Sequence, residues 1–255
     1  MNNIEELKAI SKELRKDLLI KHNEGKIAHI GSDLSCLDIL IALHFKIIDG
    51  NDRFVLSKGH SALALYSVLH KKKIIDEDTY ASLGKDGSLL GEHPLYGING
   101  IEVATGSLGH GLSVAAGIAL SKERSGEKGI VYVLLSDGEC QEGSTLEAMN
   151  FVGINKLKNI VAIVDSNKWQ AFDRTLLEEE KIKKEFASAG WNIVEIDGHD
   201  YESIIKGFQT KNKDPLLIVA HTVLGKGVRS MEDRLESHYR PPTKEQIEEF
   251  EEELS

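Results

Sequence analysis

Two unbroken apolar runs, residues 130–135 and 160–164, flank a stretch in which apolar side chains return every third or fourth position (Leu146, Met149, Val152, Leu157). Runs of that length read as strands buried on both faces, and the spacing between them predicts a helix over residues 142–157. Both runs stop abruptly at small polar residues, Ser136-Asp137-Gly138 after the first and Asp165-Ser166-Asn167 after the second. The pattern extends in both directions. Ile4, Leu7, Ile10, Leu14 and Leu18 mark an amphipathic helix ending near Gly25. Leu34, Leu37, Ile41 and Phe45 mark a second helix, which Ser32 or Asp33 can cap. A short strand from Arg53 leads through Gly59-His60 into a helix carrying Leu63, Tyr66 and Leu69, with Lys71, Lys72 and Lys73 at its C-terminal end. An Ala- and Gly-rich helix follows at 112–121, then helices at 181–189 and 201–208 alternate with strands at 191–196 and 215–220. Such alternation predicts a doubly wound α/β fold, a mainly parallel sheet with helices on both faces. Residues 1–255 read as one domain with a core of about 4–222 and a C-terminal extension, 223–255. Residues 225–242 have little apolar periodicity, and an acidic helix at 244–254 has only Ile247, Phe250 and Leu254 to bury.

Composition narrows the partners. The formal charge is −10 and no basic cluster exceeds the lysine triplet, which argues against nucleic acid or an anionic membrane. The start, MNNIEELKAI, has neither the basic end nor the apolar core of a signal peptide, and no apolar run approaches the roughly 20 residues that span a bilayer. Cys36 and Cys140 are too few for a disulfide framework and match no metal spacing, so a cytoplasmic setting is expected.

Chemistry is expected in the turns, because open parallel sheets bind ligands at the carboxyl ends of their strands. Asp137 offers an anionic oxygen, Asn167 an amide oxygen and Trp169 a backbone carbonyl. Three such oxygens suit one Mg²⁺, or another divalent cation such as Ca²⁺, with phosphate oxygens and water completing the shell. Gly138 has no Cβ to keep a diphosphate from the backbone. The glycine-rich segment 84–111 is too long for a mere connector, and its apolar residues argue against disorder.

These turns resemble the metal-diphosphate motif of thiamine diphosphate enzymes, and the wording around them, SDGECQEGSTLEAMNFVGINKLKNIVAIVDSNK, is similar to the transketolase family. AHIGSDLS, DRFVLSKGHSALALYSVL, EHPLYGINGIEVATGSLGHG, WNIVEIDGHD and HTVLGKG extend the resemblance, in order, over nearly the whole chain. It implies thiamine diphosphate as cofactor, with Asp137, Asn167 and the Trp169 carbonyl on the metal and Gly138 at the diphosphate. It further implies that backbone groups of Gly106 and Leu108 face the aminopyrimidine, and that His29, His60 and His93 are the catalytic histidines. Glu142 and Glu147 match carboxylates of the network between paired sites, and His238 matches a further histidine in altered surroundings. His110 stands where the family often has glutamine, and Ser136 where glycine is common. His22, His44, His70, His199 and His221 read as structural or surface residues. The implied reaction is ketol transfer between sugar phosphates. Nothing in the chain encodes the pyrimidine-binding domain, so a second subunit carrying it is expected. The implied assembly is a heterotetramer with a homodimer contact. The alternatives are a deoxyxylulose-phosphate synthase, part of a 2-oxo acid dehydrogenase, and a cofactor-binding chain without catalysis.

Overall fold

A capping box between Asn3 and Glu6 starts the first helix, α1 (Ile4–Gly25), which ends where Lys26 turns left-handed at φ 52°. The computed structural model describes residues 3–210 and 213–253. The second helix, α2 (Ile30–Ala42), is buried on every side and continues into a π-turn at Leu43–Ile47. Neither Ser32 nor Asp33 caps it, contrary to the sequence expectation. His29 occupies the N-cap at φ 70° without a side-chain cap bond. Tertiary contacts have claimed the other two side chains: Asp33 accepts from the Ala64 amide and pairs with His22, and Ser32 lies against His238.

Strand β1 (Arg53–Leu56) follows, and a 3₁₀ turn at Gly59–Ser61 leads into α3 (Ala62–Lys71) and a short α4 (Glu77–Ala81). After the long 84–109 segment, α5 (His110–Ser125) precedes β2 (Val131–Ser136), α6 (Gly143–Asn155) and β3 (Ile160–Ser166). The polar crossing holds a small antiparallel hairpin, β4 (Trp169–Gln170) and β5 (Asp173–Arg174). Then come α7 (Glu179–Ser188), β6 (Asn192–Asp197), α8 (Tyr201–Phe208) and β7 (Leu216–His221). The chain finally packs α9 (Glu236–Tyr239) against α2 and closes with α10 (Lys244–Glu253), whose Phe250 is buried. Leu254 lies outside the described residues.

The main sheet has the order β1-β2-β3-β7-β6 with every pairing parallel, as the sequence predicts. Alternate residues divide between two cores. Tyr132, Leu134, Val161, Ile163, Leu216 and Ile218 join α1, α2, α3 and α8 on one face. Val131, Val133, Leu135, Ile160, Ala162 and Val164 join α5, α6 and α7 on the other. Each fully buried Leu, Ile or Val contributes about 1.5–3 kcal/mol, so the strands that carry the site rest on a doubly covered platform. No helix among the described residues is long and apolar enough to cross a membrane.

Candidate active site

Every strand of the parallel sheet points its carboxyl end toward one edge, and the functional candidates collect there. The turn after β1 sets His60, and the loop before α2 sets His29 at its left-handed N-cap. The backbone N–H of His29 donates to the His238 carbonyl at 3.1 Å, so residues 225–240 are stitched to that loop. The His29 ring lies 5.5 Å from that of His60, 6.4 Å from His93 and 5.2 Å from His238, centroid to centroid. His60 and His238 are 5.7 Å apart. Four imidazoles thus line one cavity of about 450 Å³. Its other walls come from Gly106 and Leu108, from Gly138 and Glu142, and from Asn167, Trp169 and Gln170. Gly106 has φ 141°, and a Cβ there would stand 2.9 Å from the His93 ring. Only glycine lets this backbone lie against the histidine.

Burial favours the neutral form of three of these imidazoles. It pushes His60 well below the ordinary histidine value, aided by Lys58 and the neighbouring rings. His238 falls to about 4 through burial, then His29 and Lys58. His29 is lowered by burial against the opposing pull of Asp33.

Adjoining the cavity through the shared residue Asn167 lies an acidic layer, in which Asp137 lines a second cavity of about 690 Å³. Asp137 is 2% exposed and its two oxygens accept the backbone N–H groups of Gly138 (2.8 Å) and Lys168 (2.7 Å). Burial, with Asp165 nearby, raises its carboxyl to about 7 despite those donors, and no ion pair within the described residues answers its charge. Asn167 donates from Nδ2 to Ser35 and Asp165, both at 3.3 Å. That fixes its carbonyl oxygen on the other side, where it accepts from the Trp169 N–H at 3.0 Å.

Two features of this layer escape sequence reading. Lys58 and Asp165 form an ion pair with neither side chain exposed. Asp165 also accepts from Ser35 at 2.6 Å and from Thr222, while Lys58 donates to the Ser32 carbonyl at 3.2 Å. Burial opposes the Lys58 charge, but Asp165, with Cys36 and Asp33, holds the ammonium above its ordinary range. Glu139, also fully buried, accepts from Ser57 (2.7 Å), Gly109 N–H (2.9 Å) and Ser136 N–H (2.8 Å), tying the 106–109 loop to the ends of β1 and β2. Removing one member of a buried pair leaves the other charge uncompensated. Lys58→Met is therefore expected to lower unfolding free energy by about 3–5 kcal/mol in urea titrations, and a wild-type midpoint would contradict this reading.

The remaining candidates lie elsewhere. Glu147 is exposed on α6 and His110 is exposed at the start of α5, and neither lines the cavity. His22 is buried against Asp33, and His199 bridges Asp38 and the Val223 amide. His44 is buried against Phe54, His70 stacks on Tyr80, and His221 sits between Glu179 and Glu195.

An open, doubly wound sheet with a polar cavity at its carboxyl edge places the chain among the α/β proteins that take a ligand at strand ends. Residues 29–255 match the family described as transketolase, thiamine diphosphate binding domain, and the chain belongs to the transketolase family. It is 40% identical to an apulose-4-phosphate transketolase subunit of Phocaeicola vulgatus, over 99% of this chain and 95% of that one. It is 32% identical to a 6-deoxy-6-sulfo-D-fructose transketolase subunit of Clostridium sp., over 91% of this chain and 90% of that one. The crystal structure of Campylobacter jejuni transketolase superimposes with a TM-score of 0.90 at 31% identity, covering 99% of this chain but 43% of that protein. The fold and family read from the sequence are both borne out.

Proposed function

We propose that the chain is the thiamine diphosphate-binding subunit of a two-subunit transketolase, transferring a two-carbon ketol unit from a ketose phosphate to an aldose phosphate. The observation that carries this reading is the cavity where four histidines meet Gly106, Gly138 and Asn167, next to the buried Asp137, which forms no ion pair among the described residues.

The residues suit the cofactor. A divalent cation would answer the Asp137 charge, held by that carboxylate, the Asn167 amide oxygen and the Trp169 carbonyl. At Gly138 a Cβ would stand 3.1 Å from Gln170, so a side chain would crowd the space left for a diphosphate. Thiamine diphosphate, when bound, supplies the electron sink for breaking and making the carbon–carbon bond. The chain contributes placement and proton handling: His29, His60 and His93, kept close together, bond sugar hydroxyls and exchange protons with them. Glu142, on the cavity rim, is assigned to the cofactor's polar surroundings, and the backbones of Gly106 and Leu108 to its aminopyrimidine. The subunit naming of relatives that match over almost their full lengths supports a second polypeptide carrying the pyrimidine-binding domain. Those relatives are named for different sugars, so the proposal stops at the class of sugar phosphate. Both cysteines are free and buried, in keeping with a reducing cytoplasm.

Calorimetric titration with thiamine diphosphate and Mg²⁺ tests the assignment. Asp137→Ala should remove the metal-dependent part of the binding while the protein stays folded. Unchanged affinity in that variant would defeat it.

A further inference from the structure

The β4–β5 hairpin is too small to hold itself in place. It has two residue pairs, Trp169 with Arg174 and Gln170 with Asp173, and isolated hairpins are marginal even when longer. Its outer side is nevertheless fastened. Arg174 sends a two-pronged pair of hydrogen bonds to the Asp233 carboxylate, at 2.6 and 2.9 Å. The same carboxylate accepts from the Trp169 indole N–H at 2.8 Å, and the guanidinium lies 3.9 Å over the Trp169 ring. Farther along, Phe172 stacks on Tyr239 at 5.8 Å. All these partners belong to residues 233–239, the segment that carries His238.

The inner sides of the two joined pieces face the cofactor cavity: Trp169, Gln170 and Ala171 from the hairpin, His238 from the C-terminal segment. Lys168, left-handed at φ 69°, joins the hairpin to β3 and gives its N–H to Asp137. A hairpin that swung outward would carry the Trp169 carbonyl with it and loosen that contact. Asp233 is itself left-handed at φ 57°, a conformation that Asp tolerates better than most residues, and its N–H is bonded to the Leu224 carbonyl.

Resting on the function proposed above, we infer that Asp233 is a positioning residue. It clasps Arg174 and Trp169 and so fixes the wall of the site that bears the Trp169 carbonyl. An exposed ion pair alone does little, but a planar two-pronged pair stacked on an indole combines several modest terms on one short hairpin.

The test uses the full chain with Asp233→Asn, Arg174→Gln and the double variant. Asn keeps the left-handed preference and can still accept from Trp169, but it removes the charge pair. Without cofactor, acrylamide quenching of tryptophan fluorescence should rise in each variant, because Trp191 is buried and Trp169 supplies the change. With Mg²⁺ saturating, affinity for thiamine diphosphate should fall about three- to tenfold in each single variant, the scale of such a pair with its cation–π contact. The double variant should be no worse than either. Quenching and affinity equal to wild type would overturn the clasp, as would losses that simply add in the double variant. A drop in affinity with lowered melting temperature and unchanged quenching would also overturn it, as a merely structural effect. A wild-type chain that bound no thiamine diphosphate would defeat the proposed function instead. The quenching arm, run without cofactor, would still decide whether Asp233 holds the hairpin.

Discussion

Purified alone, the chain is expected to transfer no ketol unit, and to gain turnover when mixed with a subunit that carries a pyrimidine-binding domain. The chain matches subunit-type relatives over nearly their full lengths but covers only 43% of a full-length transketolase. Its candidate cavity opens at the carboxyl edge of the sheet. Apolar residues stand ready for docking: Phe151 and Ile154 are 42% and 80% exposed on α6, Val114 is 37% exposed on α5, and Tyr96 in the long loop is 81% exposed. These residues are expected to meet a partner, and two copies of each polypeptide about a twofold axis would form the simplest closed arrangement. Light scattering of the mixture should report a heterotetramer, and a coupled ketose assay should report turnover. Robust activity in the chain alone, verified free of any co-purified partner, would contradict the two-subunit reading. Inactivity with every partner tried would favour a cofactor-binding role without catalysis.

Replacing His60 by Ala in the assembled enzyme should lower turnover by roughly two to four powers of ten, the usual range when a positioned proton-transfer group is lost. His93→Ala should act in the same direction. The melting temperature should move little, since both rings are half-buried at a cavity wall rather than packed in either core. Activity retained with a large loss of stability would return these residues to a structural role. The His60 substitution also carries a pH effect. His29, His60 and His238 have folded values below the ordinary 6.5, so the unfolded chain binds more protons as the medium acidifies. Their contribution to stability is present above about 6.5 and is lost as pH falls through the lowered folded values. His60→Ala should therefore flatten the dependence of melting temperature on pH as the medium acidifies below about 6.5.

Apolar runs and helical spacing carried the sheet, because strands buried on both faces leave an unbroken signature and the intervening helices leave a period of three to four. The candidate site residues were reached by another route. His29, His60 and His93 sit on connectors with no periodicity, and only the resemblance to a family distinguished them from the other seven. What stayed hidden depends on long-range pairing. Lys58 and Asp165 are 107 positions apart, Ser57 and Glu139 are 82 apart, and Arg174 and Asp233 are 59 apart. No local pattern encodes such partners. The cap of α2 was misplaced for the same reason: Asp33 has the right chemistry for a cap, but Ala64 and His22 compete for its oxygens.

The order β1-β2-β3-β7-β6 has a consequence for how the chain is made. The last strand to leave the ribosome, β7, belongs between β3 and β6, where it pairs with both. Until residue 221 has emerged, β3 and β6 each keep an open edge of unpaired backbone groups. Residues 53–166 can pair as they appear, but the sheet is joined only near the end of synthesis, and the residues that follow β7 then bring His238 to the site. Nascent chains interrupted before β7 would present two sticky edges at once, so translation stalling in this gene would yield aggregates rather than a usable half-sheet.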